Sequence, residues 1–187
     1  MMVTSRYTFS EYSSDWTSLY AQEAAVIRKL LGDELLAVYH IGSTSVPGLA
    51  AKPIIDMLPV TRNIDAIDLF AARLADVGYR AWGEFGLVGR RFFTKDFNGY
   101  RTHNVHIYEA GHPDIERHVA FRTYLRAHPT AWHEYESLKR EVYRLHPNDI
   151  NAYNNGKDNW IKKMEQRAIK WYRDHGGDED TVRKRPL

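Results

Sequence analysis

The chemistry in this sequence of 187 residues concentrates in two short stretches: Gly42-Ser43-Thr44, directly after an apolar run at 35–41, and Asp56, inside a second apolar run at 54–60. A glycine at a strand end leaves the backbone open to close approach, and the hydroxyls of Ser43 and Thr44 add donors. Such a turn suits an anion, with phosphate the natural guest. Asp56 puts a carboxylate in an apolar strand, which is unfavourable unless it meets a cation, a hydrogen-bond donor or a metal ion. The plain alternative is a polar turn beside one hydrogen-bonded acid, the usual reading of an isolated Gly-Ser pair.

Other groups could join this pair. Strand alternation places Asn104, His106 and Tyr108 on one face of a third apolar run, and His103, Val105, Ile107 and Glu109 on the other. With Val105 and Ile107 in the packing layer, Asn104 and His106 are expected over the face that carries Asp56. His106 is then a candidate metal ligand suited to a softer ion such as Mn2+ or Zn2+, or a general base, the alternative being a hydrogen-bonded structural histidine. His40 and His103 are expected as further lining residues, and Lys52 as a phosphate-binding cation. Between 90 and 101 the bases Arg90, Arg91, Lys95 and Arg101 outnumber Asp96, and Arg91 and Lys95 share a strand face that could hold phosphate. A solvated, charge-protected edge strand explains the same residues without a ligand. Lys157 follows Tyr153 by four and precedes Trp160 by three, so it sits on the apolar stripe of a helix. Arg122 likewise follows Val119 by three. Convergence of both with Gly42-Ser43 would make a phosphate pocket between two halves of the chain; snorkelling to water would explain either one alone.

The elements that position these groups follow from hydrophobic period. The spacing predicts a helix over 16–31 stopped by Gly32, strands over 35–41 and 54–60, and a helix over 63–77 capped by Asn63 that buries Ile64, Ile67, Leu69, Phe70, Leu74 and Val77. Strands are expected over 79–85, 90–97 and 102–108, then helices opened by Pro113 and Pro129 and a last one capped by Asn148 and running to about residue 174. The expected fold is α+β: a mixed β-sheet with flanking helices in a core at 1–110, a helical C-terminal half at 111–175 packed on it, and a flexible tail at 176–187.

Composition is that of a globular chain, 43 % hydrophobic and 27 % charged. The absence of cysteine excludes disulfides, thiolate zinc sites and a cysteine nucleophile. A net charge of +2 gives a weak footprint for nucleic acid. No window is apolar enough for a membrane span and no secretory start is present, so the cytoplasm is the expected compartment. His112, His118, His128, His133 and His146 lack the spacing of a closed metal site, and Gly83, Gly86 and Gly89 lack that of a dinucleotide fingerprint. Oligomeric state is left open.

A hydrophobic residue, Gly42-Ser43, the twelve positions 44–55 and then Asp56 resemble the signature of the polymerase-beta-like nucleotidyltransferase superfamily. The longer strings His40-Ile41-Gly42-Ser43-Thr44, Val46-Pro47-Gly48-Leu49-Ala50-Ala51-Lys52-Pro53-Ile54-Ile55-Asp56 and Thr102-His103-Asn104-Val105-His106, with Tyr153 and Lys157, resemble the GrpB family within it. The resemblance implies a nucleotidyltransferase-like fold in which Gly42-Ser43 grips phosphates, Asp56 holds Mg2+ or Mn2+, and His106 stands where related enzymes carry a third acid. Leu58 departs from the pattern, since a second carboxylate is expected there. The implied function is metal-dependent nucleotidyl transfer to a small-molecule acceptor. The alternative is a non-catalytic accessory protein that binds a nucleotide or coenzyme A through a degenerate metal site, because GrpB-type domains also occur fused to dephospho-CoA kinase. On either reading the partner is a nucleotide or another phosphate-bearing small molecule.

Overall fold

A computed structural model describes residues 7–176. The tail expected at 176–187 lies, from residue 177 on, outside the described residues. The order of elements is α1 (Asp15–Leu31), β1 (Leu35–Ile41), β2 (Ile55–Thr61), α2 (Ala71–Asp76), β3 (Tyr79–Ala81), β4 (Arg90–Phe97), β5 (Tyr100–Glu109), α3 (Pro113–Ala127), α4 (Pro129–Leu145) and α5 (Ile150–Asp174). The strands form one sheet in the order β1-β2-β5-β4-β3. Only the β2/β5 pair is parallel, so the sheet is mixed and the fold α+β, as expected.

Alternation along the strands divides the core into two layers. On one face Met57, Phe93, Val105 and Ile107 pack with Trp16, Ala24, Ile27 and Leu31 of α1 and with Ile67 and Leu74. On the other face Leu58, Val60 and Tyr108 pack with Ile41 and with Ile115 of α3. The C-terminal helices are tied to the segment between β1 and β2, where Val46 and Leu49 pack against Leu125, Ala131, Tyr135 and Met164. Among the described residues no helix is long and apolar enough to cross a membrane.

Three local expectations are corrected. The helix expected over 63–77 is a 3-10 helix, Asp65–Phe70, followed by the short α2. Three residues per turn align Ile64, Ile67 and Phe70 on the core side and turn Leu69 outward, 83 % exposed instead of buried. Asn63 still serves the start, its Oδ1 accepting from the Asp65 N–H at 2.9 Å. The strand expected over 79–85 ends at Ala81, because Gly83, Phe85 and Gly86 adopt positive φ. Asp149, not Asn148, caps α5, its carboxylate accepting from the N–H groups of Asn151 and Ala152 at 3.0 and 2.9 Å. Between β4 and β5 the chain turns through Asn98 and Gly99, both at positive φ, as a two-residue hairpin requires.

Candidate functional site

β1 delivers the chain to Gly42, whose φ of 68° and ψ of −172° suit glycine alone. A Cβ at this position would collide with Asp56 Oδ2, so the missing side chain is what lets the turn lie against the acid on β2. Ser45 Oγ donates to the Gly42 carbonyl at 2.6 Å and closes the turn. Behind it, the Thr44 hydroxyl donates to the Ile54 carbonyl at 3.3 Å and therefore accepts from His40 Nε2–H at 3.0 Å. His40 stacks on Tyr20 with centroids 4.7 Å apart. Burial, with Arg126 and Arg122 nearby, lowers its pKa to about 4, so the ring is a neutral strut. Arg122 Nη1 donates to the His40 carbonyl at 2.9 Å and Arg126 Nε to the Ser45 carbonyl at 3.1 Å. Arg122 thus braces the turn from behind instead of lining the cavity, which corrects its expected role.

Asp56 pairs in register with Asn104 on the neighbouring β5, and its Oδ1 accepts from Asn104 Nδ2 at 2.8 Å. Burial raises its pKa, opposed first by that hydrogen bond and then by Lys52 and Lys157. His106 shares the face as expected, its Nε2 4.0 Å from Asp56 Oδ1. Arg90 Nη1, which only donates, lies 3.2 Å from His106 Nδ1. The lone pair of His106 is therefore used by Arg90, and Nε2 presents a hydrogen to Asp56. Burial, with Arg90 and Arg117 close by, pushes the His106 pKa down to about 3. As arranged here the ring is a hydrogen-bonded histidine between Arg90 and Asp56, the structural alternative, and it is not among the residues that line the cavity.

Lys52 and Lys157 enter the same space from opposite sides. Lys52 Nζ donates to Asn154 Oδ1 at 3.3 Å and lies 5.4 Å from the Tyr153 ring centroid. Lys157, only 8 % exposed, holds Nζ 4.0 Å from that centroid. Burial first, then repulsion from Lys52, pushes the Lys157 pKa down to about 7 against the pull of Asp56. Among the described residues neither ammonium has a carboxylate at ion-pair distance. A cavity of about 190 Å³ is lined by Gly42, Ser43, Lys52, Asp56, Tyr135 and Lys157, and shares Lys52, Ile54 and Asn104 with a cleft of about 570 Å³. Thr44 also lines the cavity, although its hydroxyl is already engaged.

The remaining candidates belong to the other face of the sheet. Arg91 pairs with Asp68 at 2.7 Å and with Asp65 at 3.1 Å, and Lys95 pairs with Glu23 of α1 at 2.9 Å. His103 faces the same Glu23 at 4.0 Å. Their register partners on the sheet, Ile107 for Arg91 and each other for Lys95 and His103, put all three in the α1 layer, so none reaches Asp56.

Lys139 and Glu136 were not among the residues expected at the site. Lys139, 1 % exposed, donates to the Ala50 carbonyl, and Glu136 Oε2 accepts from the Ala50 N–H at 3.0 Å. α4 therefore grasps both polar groups of one residue in the turn. Lys139 stands four after Tyr135 and three before Val142, the same stripe spacing that singled out Lys157. Burial pushes its pKa down to about 7 against the nearby Glu136. Tyr135 stacks on Trp160 at 4.8 Å and places its phenol by Ser43; burial raises its pKa to about 12, against the Ser43 hydrogen bond.

A pair of hard divalent ions needs several oxygen ligands. Among the described residues the cavity holds one carboxylate, Asp56; Leu58, on the same strand face, is fully buried in the α3 layer, and His106 presents N–H. No cluster of three acid or histidine side chains suited to a metal exists among the described residues. The residues present do not fit a two-metal centre.

Fold and site together define an α+β protein with a cationic, glycine-edged cavity between a mixed sheet and a helical half. The chain belongs to the GrpB family, whose profile, described as GrpB protein, matches residues 7–167. It is 48 % identical over 160 residues to UPF0157 protein YqkA of Bacillus subtilis (strain 168), covering 86 % of this chain and 46 % of YqkA. It is 31 % identical over 157 residues to the Glutamate-rich protein GrpB of Alkalihalophilus pseudofirmus, covering 82 % and 90 %. The crystal structure of conserved protein GrpB from Enterococcus faecalis superposes with a TM-score of 0.85 at 43 % identity, over 88 % of this chain and 99 % of that one. The chain thus spans about half the length of YqkA.

Proposed function

We propose that this GrpB-family domain binds the phosphate end of a nucleotide-type small molecule in the cavity at Gly42-Ser43. The observation that carries the reading is the meeting of Gly42, Ser43, Lys52 and Lys157 in one cavity whose wall continues into a larger cleft. The cleft has the volume of an ordinary small-molecule site, and its wall includes the rings of Tyr7, Phe97 and Tyr100 and the polar Arg101. Charge at the narrow end and apolar surface at the wide end match a phosphorylated organic molecule.

Binding is favoured over nucleotidyl transfer by Leu58, because the transfer reaction implied by the nucleotidyltransferase resemblance relies on carboxylates that this strand does not supply. Thermal unfolding with ADP, ATP and coenzyme A, each against adenosine, tests the reading. A phosphorylated ligand at a hundred times its Kd should stabilise the protein by about 2.7 kcal/mol. Equal stabilisation by adenosine, or none by any phosphorylated compound, would remove the phosphate assignment.

A further inference from the structure

The charge inventory of the cavity is the reverse of a metal-dependent phosphate site. In the two-metal arrangement carboxylates bind divalent ions, and the ions in turn bind the phosphate oxygens. Here the strand offers a single carboxylate, while two lysines arrive from the 42–55 segment and from α5. Leu58 closes the sheet side with an apolar core, and His106 aims N–H at Asp56.

Lys157 gives this inventory its direction. Its ammonium is held by the face of Tyr153, which attracts a cation without neutralising it. The stem is buried, and among the described residues no acid stands at ion-pair distance. Lys52 adds a second positive charge against the same ring at 5.4 Å. A pocket wall that brings two cations together beside one acid is destabilising unless an anion compensates. Among the described residues Asp56 is the only acid lining the cavity, and its Oδ1 is committed to Asn104.

We infer that Lys52 and Lys157 take the place of divalent ions in this site, so that its ligand is a di- or triphosphate group bound as the free anion instead of as a magnesium complex. This rests on the phosphate-binding reading and deepens it. Magnesium would weaken the interaction in two ways. It lowers the charge of the ligand that the lysines attract, and it brings a dication toward two ammonium groups. Asp56 would then compete with the phosphate for the lysines, the opposite of a metal ligand's part.

Titration calorimetry with inorganic pyrophosphate and with ADP, in EDTA and in excess Mg2+, tests the inference on the whole chain. Binding should be present in EDTA and no tighter in Mg2+. Lys52→Gln and Lys157→Gln should each weaken it by about tenfold or more, the loss expected for one charge-assisted contact. Asp56→Asn keeps the shape of the side chain and should tighten binding by roughly tenfold through removal of a competing charge. Thermal melts of each variant establish that it is folded. Binding that requires Mg2+ and is lost in Asp56→Asn would overturn the inference and leave the phosphate reading standing. Binding in EDTA that neither lysine variant weakens would also overturn it. Absence of binding in both buffers would end the phosphate reading itself, and the inference with it.

Discussion

Replacing Gly42 by alanine perturbs the turn at two separable levels. The backbone at φ 68°, ψ −172° lies in a region that side chains avoid, which costs roughly 1–3 kcal/mol. The new methyl also overlaps Asp56 Oδ2 and approaches its Cβ and Cγ to 3.0 Å, an overpacking of roughly 1–3 kcal/mol. The sum, about 2–6 kcal/mol, corresponds to a fall in Tm of about 5–20 °C for a chain of this size. A double-mutant cycle separates the two parts. Asp56→Ala removes Oδ2 and Cγ and leaves the backbone strain untouched, so Gly42→Ala should cost roughly 1–2 kcal/mol less in that background. Urea unfolding of the four proteins gives the numbers. An equal cost of Gly42→Ala in both backgrounds would refute the close approach to Asp56, and a total below about 0.5 kcal/mol would refute the strained turn as well.

Stability should rise with pH between about 7 and 10.5. Lys157 is held near 7 in the folded protein but returns to the ordinary lysine value when unfolded, so the unfolded chain binds more protons across that window. Lys157→Met should raise stability at neutral pH and flatten the slope, leaving the share that Lys139 contributes with the same sign; an unchanged slope in urea melts at several pH values would contradict this. Asp149→Ala should destabilise by about 1 kcal/mol, because two N–H groups at the start of α5 lose their acceptor. Glu136→Leu should cost roughly 1–3 kcal/mol in the same melts, because the buried Ala50 N–H loses its acceptor; a cost below about 0.5 kcal/mol would refute the grip of α4 on Ala50.

The centre of the site was legible because Gly42, Ser43 and Asp56 lie close in sequence, where strand, turn and strand dictate geometry. Alternation also placed Asn104 and His106 correctly over Asp56. Arg91 and Lys95 were misplaced for a different reason. Which face of β4 looks toward Asp56 depends on its register with β5, and that register carries an irregularity between Lys95 and Asp96 next to the Asn98-Gly99 turn. A shift of one residue exchanges the faces, and alternation within a strand carries no information about it. The role of His106 was illegible because it depends on Arg90, a register-adjacent partner that spends the histidine's lone pair. Lys139 carried the stripe spacing that exposed Lys157; what the positions of Lys139 and Glu136 could not reveal was the peptide at Ala50 that they hold.

That grip on Ala50, together with the α3 arginines on the carbonyls of His40 and Ser45, makes the shape of the 42–51 segment depend on side chains more than eighty positions downstream. Closing such long loops is slow compared with zipping a hairpin such as β4–β5. On a ribosome, β1 and β2 emerge and can pair well before α4 leaves the tunnel, so until then the turn between them has its local hydrogen bonds but not the hold of α4 on Ala50. The cavity beside Gly42 is therefore complete only late in folding, since its wall includes Tyr135 of α4 and Lys157 of α5. A nascent polypeptide would expose its sheet long before that wall could close.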